Sequence, residues 1–329
     1  MKRRDVLGLL SRAAAAWPVV ARAQQGERMR HIGVLMSFAA NDPEAQARLL
    51  TFREALEKSG WVDGRNVQID ARWAAGRPER LKDFAAEFAA AQPDVMLTSG
   101  SPVLTAMLRE SKTIPIVFVS IADPIAAGFV ASMSRPGGNV TGFTNFEHSM
   151  AGKWLEILKE VAPKVTRALV IYNPRSVGSM QLAQAIEDTA PKLALSPTLL
   201  DGQTLKSIET AFDAFSREPG GGLAVQPDAT IATHRDTIIE LAARHRLPGV
   251  YPFRYYTSRG GLVSYGVDTP SQMSRAAEYV SRILRGEKPN DLPIQAPNKF
   301  ELVVNLKTAK ALGLTIPESF LLRADEVIE

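Results

Sequence analysis

The chain contains no cysteine. A disulfide scaffold, a thiolate metal site, a cysteine nucleophile and a lipid-attachment thiol are therefore excluded. Histidine is scarce: His31, His148, His234 and His245 show no metal spacing of the HExxH kind. There is no G-x-S-x-G elbow and no Walker loop. The glycine-rich run Gly137-Gly138-Asn139-Val140-Thr141-Gly142 precedes a strand-like segment, so it does not match a dinucleotide fingerprint. No catalytic residue, metal or cofactor is expected. Basic blocks are missing as well. The formal charge of +4 is accounted for by Lys2, Arg3, Arg4, Arg12 and Arg22 against Asp5, all within Met1–Ala23. The rest is neutral, which argues against nucleic acid as a partner.

That N-terminal segment has a basic start, an apolar stretch over Val6–Val20 and the small-residue site Ala21-Arg22-Ala23. These are the three parts of an export signal. The Arg3-Arg4 pair and the moderate hydrophobicity are of the twin-arginine kind. The stretch is shorter than the roughly 20 residues that span a bilayer. Residues 1–23 are thus expected to be a signal peptide, and the mature protein a soluble periplasmic one beginning at Gln24.

What the chain has in quantity is apolar residues, 45% of 329, enough for about two domains. Their spacing alternates strand and helix. His31–Met36, Val67–Ala71, Val95–Thr98 and Ile116–Ser120 read as strands, with helices at Ala45–Leu56, Pro78–Ala91 and Pro102–Glu110 between them. After Ala122-Asp123-Pro124, the small and apolar residues up to Met133 read as a short helix. A turn at Arg135–Asn139 follows, and Val140–Phe143 restarts as a strand. The rhythm then repeats, with strands at Ala168–Tyr172, Thr198–Leu200, Leu223–Val225, Gly249–Tyr251 and Gly261–Tyr265. Helices fall at Ala151–Val161, Ser179–Ala190, Leu205–Phe215 and His234–Arg246. Parallel sheets covered by helices on both faces are the expected architecture. Pro270–Leu284 (helix), Glu287–Pro297 (extended), Phe300–Asn305 (strand) and Leu306–Leu312 (helix) complete the chain.

Several motifs, in order, resemble one known family. They are Asp123-Pro124 with Gly128, Arg135-Pro136-Gly137-Gly138-Asn139-Val140-Thr141-Gly142, Tyr172-Asn173-Pro174, Gly260-Gly261-Leu262-Val263-Ser264-Tyr265-Gly266, Leu292-Pro293 and the run from Asn305 to Pro317. The resemblance is to the ABC-importer substrate-binding group that contains the tryptophan-binding TrpX-like proteins, and it covers nearly the whole chain. It implies an α/β fold of the type I periplasmic binding-protein kind: two Rossmann-like lobes joined by a three-crossover hinge. Lobe 1 would comprise 29–144 with 266–294, and lobe 2 would comprise 145–265 with 295–329. A small solute would sit between them, for delivery to a permease in the inner membrane with a separate ATPase. A monomer is expected, and the favoured solute is an amino acid or related carboxylate, aromatic in character. The same lobes could instead present a solute to a membrane receptor kinase or chemoreceptor. A repressor effector domain would need a basic helix-turn-helix where the export signal stands.

In such a fold the strand C-terminal ends face the cleft, which nominates the residues just after each strand. In lobe 1 these are Ser37, Phe38, Ser99, Gly100, Ser101, Ser120 and Asp123. Ser99-Gly100-Ser101-Pro102, at a helix start, suits a carboxylate, although both serines could equally cap the helix. In lobe 2 the candidates are Asn173, Ser176, Asp228, Phe253, Tyr256 and, near a crossover, Tyr265. A carboxylate facing aromatic rings suits an ammonium group, while Phe253, Tyr255 and Tyr256 could also serve only as lobe packing.

Overall fold

The computed structural model describes residues 28–146 and 149–329. The expected signal peptide lies outside the described residues, as does His148. The chain runs β1 (Arg30–Met36), α1 (Pro43–Lys58), β2 (Val67–Trp73), α2 (Pro78–Ala91), β3 (Val95–Ser99), α3 (Ser101–Glu110), β4 (Ile116–Ile121) and β5 (Val140–Thr144). It continues with α4 (Ser149–Val161), β6 (Arg167–Tyr172), α5 (Val177–Thr189), β7 (Ser196–Asp201), α6 (Leu205–Phe215) and β8 (Gly221–Val225). Next come α7 (Ala229–Thr233), α8 (Arg235–Arg244), β9 (Gly249–Tyr251), α9 (Arg254–Thr257) and β10 (Val263–Val267). The last elements are α10 (Thr269–Leu284), β11 (Phe300–Asn305), α11 (Leu306–Leu312), α12 (Glu318–Leu321) and β12 (Glu326–Ile328).

Two separate sheets result. The first has the order β2-β1-β3-β4-β5 and is parallel throughout. The second has the order β12-β11-β10-β9-β8-β6-β7 and is parallel except where β11 runs against β10. Strands β3 and β5 are buried at every residue, as expected for strands covered on both faces. Helix α1 starts where Asp42 accepts the Glu44 N–H with Pro43 in the first turn, and stops at Ser59 and Gly60.

The position of α10 explains the last third of the chain. Met273, Ala276 and Val280 pack with Leu49 and Phe52 of α1 on Ile32 and Val34 of β1. Leu35, Met96 and Phe118 face the other side of that sheet, against Phe88, Leu104 and Met107. A helix whose flanking strands β10 and β11 belong to the second sheet thus completes the first lobe's core. The chain therefore crosses between lobes three times: after β5, at Asp268 and before β11. Backbone and side-chain bonds tie these crossings together. Thr144 N donates to Gln295 O at 3.0 Å, Gln272 Nε2 donates to Thr144 O at 2.9 Å, and Lys299 pairs with Asp268.

The stretch before Met133 is not the short helix that its composition predicts. It is a chain of turns, in which Phe129 N donates to Pro124 O, Ala131 N donates to Pro136 O, and Gly128 has φ +71°. Three residues between Pro124 and a left-handed glycine cannot repay the cost of nucleating a helix. The helix expected over His234–Arg246 is α8, and it is preceded by a short helix, α7, that Asp228 caps and that periodicity did not indicate.

Gly142 shows why the turn motif ends in glycine. A Cβ there would lie 2.7 Å from Phe118 N and closer still to its carbonyl. The β4–β5 register shifts at this point, and Ser120, two residues on from Phe118, takes φ +60°. A non-glycine residue in that region is strained.

Candidate functional site

The two lobes meet along the C-terminal ends of their strands and touch at several points. Asp42, at the start of α1, pairs with Arg235 of α8 at 2.8 Å, and both side chains are at least nine-tenths buried. Gly100 of lobe 1 lies against Ala229 of lobe 2, so a Cβ on it would be 3.0 Å from the alanine methyl. Gly178 of α5 lies against Ala122, where a Cβ would be at 2.8 Å. These contacts describe a closed cleft.

Within it is a cavity of about 30 Å3 lined by both lobes, room for about one water molecule. Phe38, Arg48, Ser99 and Ser120 line it from the first lobe. Pro227, Asp228, Ala229, Ala232, Phe253 and Tyr255 line it from the second, and Asn145 from the crossing between them.

Arg48 is the cationic wall. Its Nε donates to Glu44 Oε1 at 2.7 Å, Nη1 lies 3.4 Å from Ser99 Oγ, and the guanidinium stands 4.9 Å from the Phe38 ring centroid. Asp228 is the anionic wall. Its Oδ1 accepts the Thr230 and Ile231 N–H groups that begin α7, and its Oδ2 accepts Asn173 Nδ2 at 2.8 Å. Phe253 stacks on Tyr255 at 5.2 Å, and Tyr255 on Tyr256 at 5.0 Å. Burial raises the Tyr255 phenol well above its ordinary range, so the ring stays neutral. Burial works against the charge of Arg235, and the neighbouring Asp42 more than restores it. Asn145 Oδ1 and Tyr255 Oη are sealed from solvent with no hydrogen-bond partner among the described residues. Buried polar atoms are rarely left so.

Of the residues nominated from sequence, Phe38, Ser99, Ser120, Asp228 and Phe253 are gathered around this cavity. Others stand one layer behind. Asn173 holds Asp228 from behind, with Gln203 bonded to its Oδ1. Ser37 is buried beneath the cleft and its carbonyl accepts Gly76 N–H. Ser120 Oγ donates to Gln272 Oε1 at 3.2 Å, which links it to the hinge.

The remaining six have local duties. Gly100 is a lobe–lobe contact, and Ser101 begins α3 without lining the cavity. Asp123 is a turn former that accepts Ile125 and Ala126 N–H at 3.1 and 2.9 Å. Ser176 caps α5. Tyr256 is packed between Tyr251 and Tyr255, and Tyr265 stacks on Phe300 while its carbonyl accepts Trp154 Nε1. Ser99 lines the cavity and Ser101 does not.

Arg48, Asn145, Tyr255 and the Asp42–Arg235 pair were not nominated. Arg48 carried a signal: it falls on the stripe Ala45, Leu49, Phe52 and Leu56, with Glu44 four residues before it. A charge on a buried stripe beside its counter-charge marks a site better than a polar residue at a strand end. Among the described residues no cluster of histidine, aspartate and glutamate could hold a metal ion, and no helix is long and apolar enough to cross a membrane.

Comparison with known proteins places the whole architecture. The family model described as ABC transporter substrate binding protein matches residues 34–328. A tyrosine-binding protein of Clostridioides difficile (strain R20291) is 26% identical over 295 residues, covering 88% of this chain and 82% of that protein. A solved domain from Streptococcus pneumonia, in complex with L-Trp, aligns with a TM-score of 0.84 at 25% identity, over 91% of this chain and 100% of that one. A conserved domain protein from Vibrio cholerae gives 0.85 at 28% identity with the same coverage.

Proposed function

The chain belongs to the ABC transporter substrate-binding proteins, and from that premise we propose that it closes on a single amino acid with an aromatic side chain and delivers it from the periplasm to a membrane permease. The observation that carries the ligand class is the pair of opposite charges facing one small cavity. The Arg48 guanidinium with Ser99 stands on one wall and the Asp228 carboxylate on the other, with aromatic rings between. An α-carboxylate pairs with the first and an α-ammonium with the second. Asn145, whose Oδ1 has no partner among the described residues, offers a further acceptor for that ammonium. The relatives named for tyrosine and tryptophan support an aromatic side chain.

A solute of this size does not fit the closed cavity as it stands, so binding begins with the lobes apart and ends with them together. Ligand then stabilises the closed form by touching both lobes.

The test is a thermal-shift screen of the chain from Gln24 onward against amino acids, their amides, sugars and nucleosides. Ligand at 100 times its Kd adds about 2.7 kcal/mol to stability. A rise with aromatic amino acids but not with their amides is the expected result. Shifts confined to sugars or nucleosides refute the ligand class, and delivery is tested separately by uptake in cells that carry or lack the protein.

A further inference from the structure

A second, larger cavity lies on the far side of Tyr255. It holds about 330 Å3, and its walls come from the first turns of α1, from α9 with the residues just after it, and from the start of α10. Arg48 and Tyr255 line both this outer cavity and the inner one. Two side chains therefore form the partition between them.

Tyr255 has no hydrogen-bond anchor among the described residues: its sealed hydroxyl is unpartnered there, and the ring is held by stacking on Phe253 and Tyr256 and by the Arg48 and Arg235 guanidinium groups, 6.0 and 5.7 Å from its centroid. It sits on a four-residue helix beyond β9, where a rotation about its side-chain bonds leaves the sheet untouched. With the ring turned aside, the inner cavity opens into a pocket within the roughly 300–1,000 Å3 range of small-molecule sites. The outer walls combine Ala47 and Pro270 with the hydroxyls of Thr51 and Ser258, with Glu44, Arg254 and Arg259, whose charges are paired with Arg48, Glu326 and Asp236, and with the carboxylate of Glu301. Glu301 makes no ion pair among the described residues, so it remains an acceptor. That lining suits a flat apolar side chain whose edge carries an O–H or N–H.

The geometry points to the outer cavity as the side-chain subsite of the solute, with Tyr255 as the movable partition that admits it. This rests on the amino-acid reading above: the charged end lies in the inner cavity and the side chain passes Tyr255 into the outer one. The subsite would thereby select long, donor-bearing aromatic side chains over short ones.

Ala47→Trp and Thr51→Trp each fill the outer cavity from the surface of α1. Ala47 is solvent-exposed and Thr51 half-exposed, and unchanged melting temperatures would confirm that both variants fold. Calorimetric titration of wild type and variants uses a size series of L-alanine, L-leucine and L-tryptophan. The expected result is a loss that grows with side-chain size, at least tenfold for L-tryptophan and under twofold for the smallest member bound. An equal loss across the series, or no loss, overturns the subsite while leaving the amino-acid reading intact. Failure of wild type to bind any member overturns both.

Discussion

Closure of the lobes makes a sharp demand at Gly178. This residue, the second of α5, is buried against Ala122 of the opposite lobe. A Cβ there would stand 2.8 Å from the Ala122 methyl and 3.3 Å from Asp123 N. Carbon atoms pack at roughly 3.5–4.0 Å, so Gly178→Ala falls short by about 0.7 Å or more. The obstacle is backbone and a methyl group, neither of which can swing away, so one lobe has to back off.

Overpacking of this kind costs about 1–3 kcal/mol, and here it applies only to the closed form. Such a penalty weakens ligand binding by roughly 5–150-fold. In the open form the substitution is benign, because alanine is a better helix former than glycine by about 0.5–1 kcal/mol. The assay is calorimetric titration with the best ligand from the screen, beside thermal melting without ligand. The expected pair of results is a weaker Kd and an unliganded Tm that does not fall. A Kd within twofold of wild type, at unchanged Tm, would refute the claim that ligand is held by this closed contact.

Other perturbations separate closure from folding. Asp42→Asn keeps a good helix cap but leaves Arg235 without its buried partner, a loss of about 3–5 kcal/mol in the closed form. Affinity should fall about 100-fold or more while the unliganded Tm stays nearly constant, and unchanged affinity would show that the pair does not latch the lobes. Asp94 is a folding probe remote from the cleft. Although burial opposes its charge, bonds from His31 N–H and Arg30 and the nearby Arg28 hold its pKa below 3.8. Its stabilisation is therefore complete above about that pH and is lost as pH falls through the lower, folded-state value. Asp94→Asn should melt earlier than wild type at neutral pH, with the gap closing in strong acid; a gap independent of pH would show that charge is not the cause. Gly142→Ala forces a methyl into the Phe118 backbone and should cost about 3 kcal/mol or more, read as a Tm several degrees lower or as insoluble protein. A normal Tm would mean that the β4–β5 bulge can yield.

Periodicity and punctuation were enough to place most strands and helices, because a strand buried on both faces and an amphipathic helix write their surroundings into neighbouring residues. The same logic located the strand ends, and Phe38, Ser99, Ser120, Asp228 and Phe253 do surround one cavity. What the chain could not reveal locally was which of those ends converge. Asn173 and Ser176 follow a strand as Asp228 does, yet one supports Asp228 and the other caps a helix. That choice depends on side-chain direction after folding.

Tertiary structure alone decided the rest. Arg48 lies within a helix, not at a strand end, and it reaches the cleft because α1 packs its buried stripe toward the lobe boundary. Asn145 enters from a crossing whose path is set by α10 returning to the first sheet. Gly178 looks like an ordinary residue in a helix start until the second lobe brings Ala122 against it. Local sequence determines what a segment buries. Contacts between residues far apart in the chain determine against whom, and a cleft formed by two lobes consists of such contacts.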